Sequence, residues 1–245
     1  MKNANQSPSD RLIIAADVRT RDEATLLTEE LMPLCRQFKV GCALICSAGF
    51  NVAIEMTKMG ASVLIDLKLH DIPNTVYEAS FALSKYGIWA LTVHACGGLE
   101  MIKACILGTR NGAMETSYKP PLVFAVTLLT SISEQQLNDE LQVKTSVSEY
   151  VVTMAKLAKL AGADGVVASG REINDVREAC GNDLLILVPG VRPSWAAADD
   201  QRRYITPAEA IKRGANYIIV GRPILRAENR RDALMRVLDE IASAI

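Results

Sequence analysis

The 245-residue chain lacks most features that would commit it to nucleic acid, a membrane or a metal. Its 27 Lys and Arg stand against 28 Asp and Glu, a formal net charge of −1. No strong field of either sign therefore points to a polyanion or an anionic lipid surface. Long apolar runs are missing as well. The first, Leu12 to Ala16, is too short for a signal-peptide core or a membrane span, so the cytoplasm is the expected compartment. Histidine is scarce, with only His70 and His94. The six cysteines, Cys35, Cys42, Cys46, Cys96, Cys105 and Cys180, follow no zinc spacing. Cys42 and Cys46 are four apart and can share a helix face, yet no nearby Cys or His completes a ligand set. No metal is expected, and the cysteines read as buried free thiols. A dinucleotide loop is lacking too: Asp17-Val18-Arg19-Thr20 follows the first strand where Gly-x-Gly-x-x-Gly would stand.

What is present is a repeating rhythm of strand, loop and helix. Runs at Leu12–Ala16, Phe38–Val40, a stretch opening at Val63 and ending before Asp71, Ile88–Val93, Leu122–Val126, Gly165–Ala168, Leu184–Val188 and Ile218–Val220 read as eight buried strands. Helices are expected from an Asp22 cap to about Leu34, and from Gly41 through Met56 to a stop at Gly60. Further ones run from Pro73 to about Tyr86, and through Met101 to Leu107 before a polar connection at 111–119. A broken helical region covers Glu134 to Leu141 and Val147 to Ala161. Ser169 is the expected cap of a helix reaching Cys180, and the last helix spans about Arg230 to Ala244. Eight such units in this length favour one domain closed into a (β/α)8 barrel over residues 11–245, with a frayed polar start at 1–10. The stretch from Val188 to Tyr204 is long for a strand-to-helix loop and reads as a lid or binding loop, packed by Trp195.

The third strand admits charge. In Ile65-Asp66-Leu67-Lys68-Leu69-His70-Asp71-Ile72-Pro73, Asp66 and Lys68 share a strand face, roughly 6.6 Å apart along the backbone. Unpaired buried charge is costly, so alternating signs imply a built network, joined from other strand ends by Asp17 and Lys39. A lysine between carboxylates stays charged; it is a poor nucleophile and a usable proton donor. His70 alternates away from the Asp66/Lys68 face, which favours packing or hydrogen bonding to a neighbouring loop over catalysis, and His94 is expected to hydrogen-bond within the rim. Loops after strands seven and eight hold phosphate in many such barrels; here they carry Gly190, Arg192, Gly221 and Arg222. The hydroxyls of Thr127 to Ser131 either bind a polar ring or cap the next helix.

With these residues placed, the chain resembles the orotidine 5′-monophosphate decarboxylase family in its bacterial form. The resemblance rests on Asp66-Leu67-Lys68-Leu69-His70-Asp71-Ile72-Pro73-Asn74-Thr75, and on Phe38–Gly41, Val93–Gly98, Val126–Ser131, Pro189–Pro193 and Val220–Ile224 in the same order. Ala16 and Val188 are minor departures. The resemblance implies a barrel that dimerises across its active-site rim. It implies conversion of orotidine 5′-monophosphate to uridine 5′-monophosphate and CO2 in pyrimidine biosynthesis, without cofactor or metal. By the same resemblance Lys68 protonates C6 of the pyrimidine, Asp66 lies beside the departing carboxylate, and Lys39 with Asp17 reaches the ribose. Asp71 and Thr75 enter the partner subunit's site, Thr130 meets the pyrimidine, and Arg192, Gln201, Gly221 and Arg222 hold phosphate. Two alternatives stand beside it: a metal-dependent sugar-phosphate decarboxylase sharing the Asp-x-Lys-x-x-Asp core, and a non-catalytic barrel that binds a phosphometabolite.

Overall fold

The computed structural model describes residues 7–196 and 205–245. Eight parallel strands close in sequence order: β1 (Leu12–Ala15), β2 (Gln37–Gly41), β3 (Ser62–Leu69), β4 (Ala90–His94), β5 (Leu122–Val126), β6 (Gly165–Val167), β7 (Leu185–Val188) and β8 (Tyr217–Val220). Closure is made by β8 against β1, with Leu12 opposite Ile218 and Ile14 opposite Val220. Outside the sheet lie α1 (Arg21–Leu31), α2 (Cys42–Ala48), α3 (Asn51–Lys58), α4 (Pro73–Ser84), α5 (Leu99–Met114), α6 (Val147–Ala161), α7 (Ile173–Cys180), α8 (Pro207–Lys212), α9 (Arg222–Leu225) and α10 (Arg230–Ala242). The chain is thus the (β/α)8 barrel that the strand-helix rhythm calls for.

Strand alternation divides the apolar residues into two cores. Leu12, Ile14, Phe38, Val40, Val63, Ile65, Leu91 and Val93 face outward and meet the helices. Ile13, Ala15, Leu64, Ala90, Phe124, Val126, Leu187 and Ile219 face inward. Towards the amino-terminal ends of the strands, Trp89, Phe124 and Tyr217 pack edge to face or tilted, with centroids 5.2 to 6.2 Å apart. A side chain on β6 would strike this cluster, since a Cβ on Gly165 would lie 2.7 Å from the Phe124 ring. With the floor filled, the inward positions nearest the carboxyl ends are the ones left to face a ligand.

Several boundaries differ from the sequence reading. Of the start expected to be frayed, residues 1–6 lie outside the described residues, while Pro8–Arg11 form a 3-10 turn and Asp10 accepts a hydrogen bond from the Ser7 amide. Helix α1 is capped by Thr20, not Asp22: the Thr20 hydroxyl accepts from the Glu23 amide while Glu23 accepts from the Thr20 amide. The expected single helix after β2 is two, parted at Gly49 with φ +79. Helix α5 continues through Asn111 to Met114, because Ile106, Thr109 and Ala113 keep an inward stripe going. Ser169 does not cap α7, which begins at Ile173; its hydroxyl instead accepts from the Arg171 amide. The broken region after β5 includes a π-helical turn at Gln136–Glu140 ahead of α6.

Candidate active site

The two carboxylates of the row each sit one inward step beyond a core residue, and Lys39 lies level with those core residues. Asp17 follows Ala15, Asp66 follows Leu64, and Lys39 lies opposite Ala15 on β1 and Leu64 on β3. The barrel wall therefore delivers them to one place. The Lys39 ammonium lies 2.9 Å from Asp17 Oδ1 and 3.8 Å from Asp66 Oδ2, and the Lys68 ammonium lies 2.9 Å from Asp66 Oδ1. The result is a row of alternating sign, Asp17, Lys39, Asp66, Lys68, with no net charge. The two central side chains are the more enclosed, 11% exposed for Lys39 and 13% for Asp66, against 56% for Asp17 and 32% for Lys68. An interior carboxylate holding two ammonium groups is a preorganised electrostatic site.

Lys68 reaches this row from an unusual backbone. Its φ is +51, one of two positive values among the described non-glycine residues. The β3–β4 register also slips there: Ile65 is opposite Leu91, but Leu69 is opposite Val93. Two extra residues of β3 are looped into the ladder as a bulge. A left-handed lysine costs of order 1–3 kcal/mol and persists only where its surroundings hold it. Here Thr92 does so: its hydroxyl accepts from the Lys68 amide at 2.9 Å and donates to Asp66 Oδ1 at 3.0 Å. Thr92 is 1% exposed. It was not singled out from sequence; the only signal was one hydroxyl on the inward face of an apolar strand.

Asp71 stands apart from the row. It is exposed beyond β3, and its carboxylate accepts a 2.6 Å hydrogen bond from the next amide, Ile72. Thr75 is exposed in the first turn of α4, which Pro73 opens as expected. His70 packs its ring on His94, the last residue of β4, at a centroid distance of 5.3 Å. Burial, then the nearby His70 and Lys68, lower the His94 pKa, with Asp66 opposing.

A cavity of about 250 Å³ joins the charge row to the last two loops. Asp17, Lys39 and Asp66 form one wall; Pro189–Arg192 and Gly221–Pro223 form the other. At Gly221 a Cβ would come within 3.1 Å of Ala15, so a larger residue would crowd the passage between them. Arg192 is buried, and its amide donates to Ile205 across a parallel bridge between Val191 and Ile205 that pins the two ends of the long loop. Trp195 does pack this loop: the Arg236 guanidinium of α10 lies 4.1 Å over its ring, and Ser194 donates twice to Glu240. Gln201 lies outside the described residues. Thr130 is exposed and lines a separate, larger cavity of about 610 Å³, with Leu128–Ser133, Ser169–Glu172, Pro189 and Gly190 around it. Pro189 and Gly190 are the shared wall. Among the described residues, no three His, Cys, Asp or Glu side chains gather as a metal site.

The model of the Orotidine 5'-phosphate decarboxylase / HUMPS family matches residues 10–237, from the first turn to α10. The chain belongs to this family. A relative in Heliobacterium modesticaldum named orotidine 5'-phosphate decarboxylase is 49% identical over 236 residues, covering 96% of this chain and 97% of its own. One of the same name in Gloeothece citriformis is 42% identical, with 96% and 98% covered. The crystal structure of orotidine 5'-phosphate decarboxylase from Lactobacillus acidophilus superposes with a TM-score of 0.85 at 38% identity, covering 95% of this chain and 99% of that one. Family membership thus extends over all eight strands and every residue of the charge row.

Proposed function

We propose that the chain decarboxylates orotidine 5′-monophosphate to uridine 5′-monophosphate and CO2 in pyrimidine biosynthesis, without cofactor or metal. The observation that carries this reading is the row Asp17–Lys39–Asp66–Lys68, whose first three members face two Gly/Arg loops across one cavity while Lys68 is tied to the third. A phosphate fits the loop side, at Arg192, Gly221 and Arg222, with Gln201 from the long loop; the ribose hydroxyls meet Lys39 and Asp17. The pyrimidine then lies over Asp66 and Lys68, with Thr130 at its far edge. As the C6–carboxylate bond breaks, its electron pair stays on C6 and CO2 departs. No ring substituent can spread that charge, so the barrier falls through a fixed positive charge at C6. The Lys68 ammonium supplies it and then gives its proton to C6, leaving a neutral amine that regains a proton from water. Asp66 holds the ammonium and lies beside the departing carboxylate. Phosphate binding at the far end, remote from the reacting carbon, supplies binding energy that can be realised as rate.

Asp71 and Thr75 complete the site of a second copy in a rim-to-rim homodimer. Their exposure supports this, as does the absence of any Lys ion pair to Asp71 among the described residues. Among those residues no helix is long and apolar enough to cross a membrane, in line with work on a soluble metabolite in the cytoplasm. The test is a turnover assay on the purified chain with orotidine 5′-monophosphate, following pyrimidine absorbance with and without EDTA. Equal turnover in both conditions is the expected result. No turnover, or turnover abolished by EDTA and restored by a divalent metal, rejects the reading.

A further inference from the structure

We propose that Thr92 is a positioning residue for the reaction, setting where the Lys68 ammonium stands. This deepens the decarboxylase reading and rests on it. The geometry is a closed loop of hydrogen bonds. The Lys68 amide can only donate, so the Thr92 oxygen accepts from it at 2.9 Å, leaving the single hydroxyl hydrogen to donate to Asp66 Oδ1 at 3.0 Å. That same Oδ1 receives the Lys68 ammonium at 2.9 Å. One hydroxyl therefore fixes both ends of the lysine: its backbone directly, and its charged tip through the shared carboxylate oxygen.

The need for such a tie follows from the backbone. With φ at +51 and the β3–β4 register resuming only at Leu69, the Lys68 amide leaves the strand ladder and takes a side-chain partner from β4. A buried amide with no acceptor is disfavoured, so without the hydroxyl the bulge would shift until that amide found another partner. Any shift at Lys68 carries its amine along. Thr92 is fully enclosed, on the inward face one step beyond Ala90. Valine would fill the same space in this apolar strand, so volume alone does not call for a hydroxyl here.

The experiment compares the full-length wild type with Thr92→Val, which keeps the shape and removes both hydrogen bonds, and Thr92→Ser, which keeps the hydroxyl. Three quantities are measured: turnover of orotidine 5′-monophosphate, affinity for uridine 5′-monophosphate, and hydrogen exchange of the Lys68 amide without ligand. The expected result for Thr92→Val is a kcat about 10- to 100-fold lower, as for a misplaced reacting group. Its affinity for uridine 5′-monophosphate stays within about twofold, since phosphate and ribose are held elsewhere. Thr92→Ser recovers most of the turnover, and the Lys68 amide exchanges faster in the valine variant alone. Wild-type kcat in Thr92→Val overturns the proposal. So does an equal fall in both variants, or a loss of nucleotide affinity matching the loss of kcat. If Thr92→Val fails to fold, Thr92→Ala is read by the same criteria. If the wild type itself does not turn over the substrate, the decarboxylase reading fails; amide exchange then still decides whether Thr92 holds Lys68.

Discussion

Replacing Asp66 by Asn removes the carboxylate that two lysines share while keeping its volume. In the wild type that group meets Lys68 at 2.9 Å and Lys39 at 3.8 Å, with its side chain 13% exposed. At an effective dielectric of about 20, these contacts are worth about 6 and 4 kcal/mol of Coulomb attraction. Most of that is offset by the cost of taking three charges out of water. The amide variant keeps that cost and loses the attraction, leaving two ammonium groups with only Asp17, which is mostly solvated. Removing one partner of a buried pair costs about 3–5 kcal/mol. Lys68 can turn partly to water, which places the loss near the low end, about 3 kcal/mol. In a domain of this size each kcal/mol moves Tm by about 2–4 °C, so Asp66→Asn should melt about 6–12 °C below wild type. Calorimetry of the ligand-free proteins at pH 7 measures this, with Lys68→Met and the double variant completing a cycle. The double variant should be more stable than Asp66→Asn alone, because one stranded ammonium has gone. A Tm within about 1 °C of wild type, or strictly additive losses, would refute the coupling inferred between these charges.

Three other outcomes follow from the same geometry. Lys68→Ala and Asp71→Ala should each be inactive alone, yet an equal mixture should regain up to about a quarter of wild-type activity if subunits exchange at random, since each hybrid dimer has one intact site; inactive mixtures with proven heterodimers would exclude a shared site. Arg177 fastens α7 to the floor by donating to the carbonyls of Gly181, Leu184 and Gly214 and to the Asn216 side chain, so Arg177→Ala should lower Tm by several degrees and leave kcat of the folded enzyme unchanged. His94 has a pKa below its ordinary 6.5, so the unfolded chain binds a proton there first; its contribution is full above pH 6.5 and lost as pH falls below it, and His94→Asn should flatten the melting-temperature profile on that acid side.

The barrel was legible from eight apolar runs alternating with helices, and the charge row from the period of two within a strand. Leu64 and Asp66, or Ala15 and Asp17, are two apart, and a period of two sends both inward. The same rule placed Asp66 and Lys68 together, and their side chains do meet. It did not reveal how: Lys68 reaches Asp66 from a left-handed bulge, which a regular strand cannot anticipate. Thr92 escaped notice because its hydroxyl acts on partners 24 and 26 residues away, in an otherwise apolar run. Local competition explains the misplaced helix ends. Thr20 precedes Asp22 and has Glu23 three residues on, which completes a capping box that Asp22 cannot. The stop at Gly49 was hidden because apolar spacing continues unbroken on both sides of it. Asp71 and Thr75 are legible as exposed polar residues, but the second copy proposed as their partner leaves no mark within one chain.

The most direct test is to run the reaction in deuterated water and examine the nucleotide product of wild type and Lys68→Ala. The wild type should yield uridine 5′-monophosphate carrying deuterium at C6, while Lys68→Ala should form almost none yet still bind that product. Product formation by Lys68→Ala at a rate close to wild type would contradict the assignment of the ammonium as the proton donor.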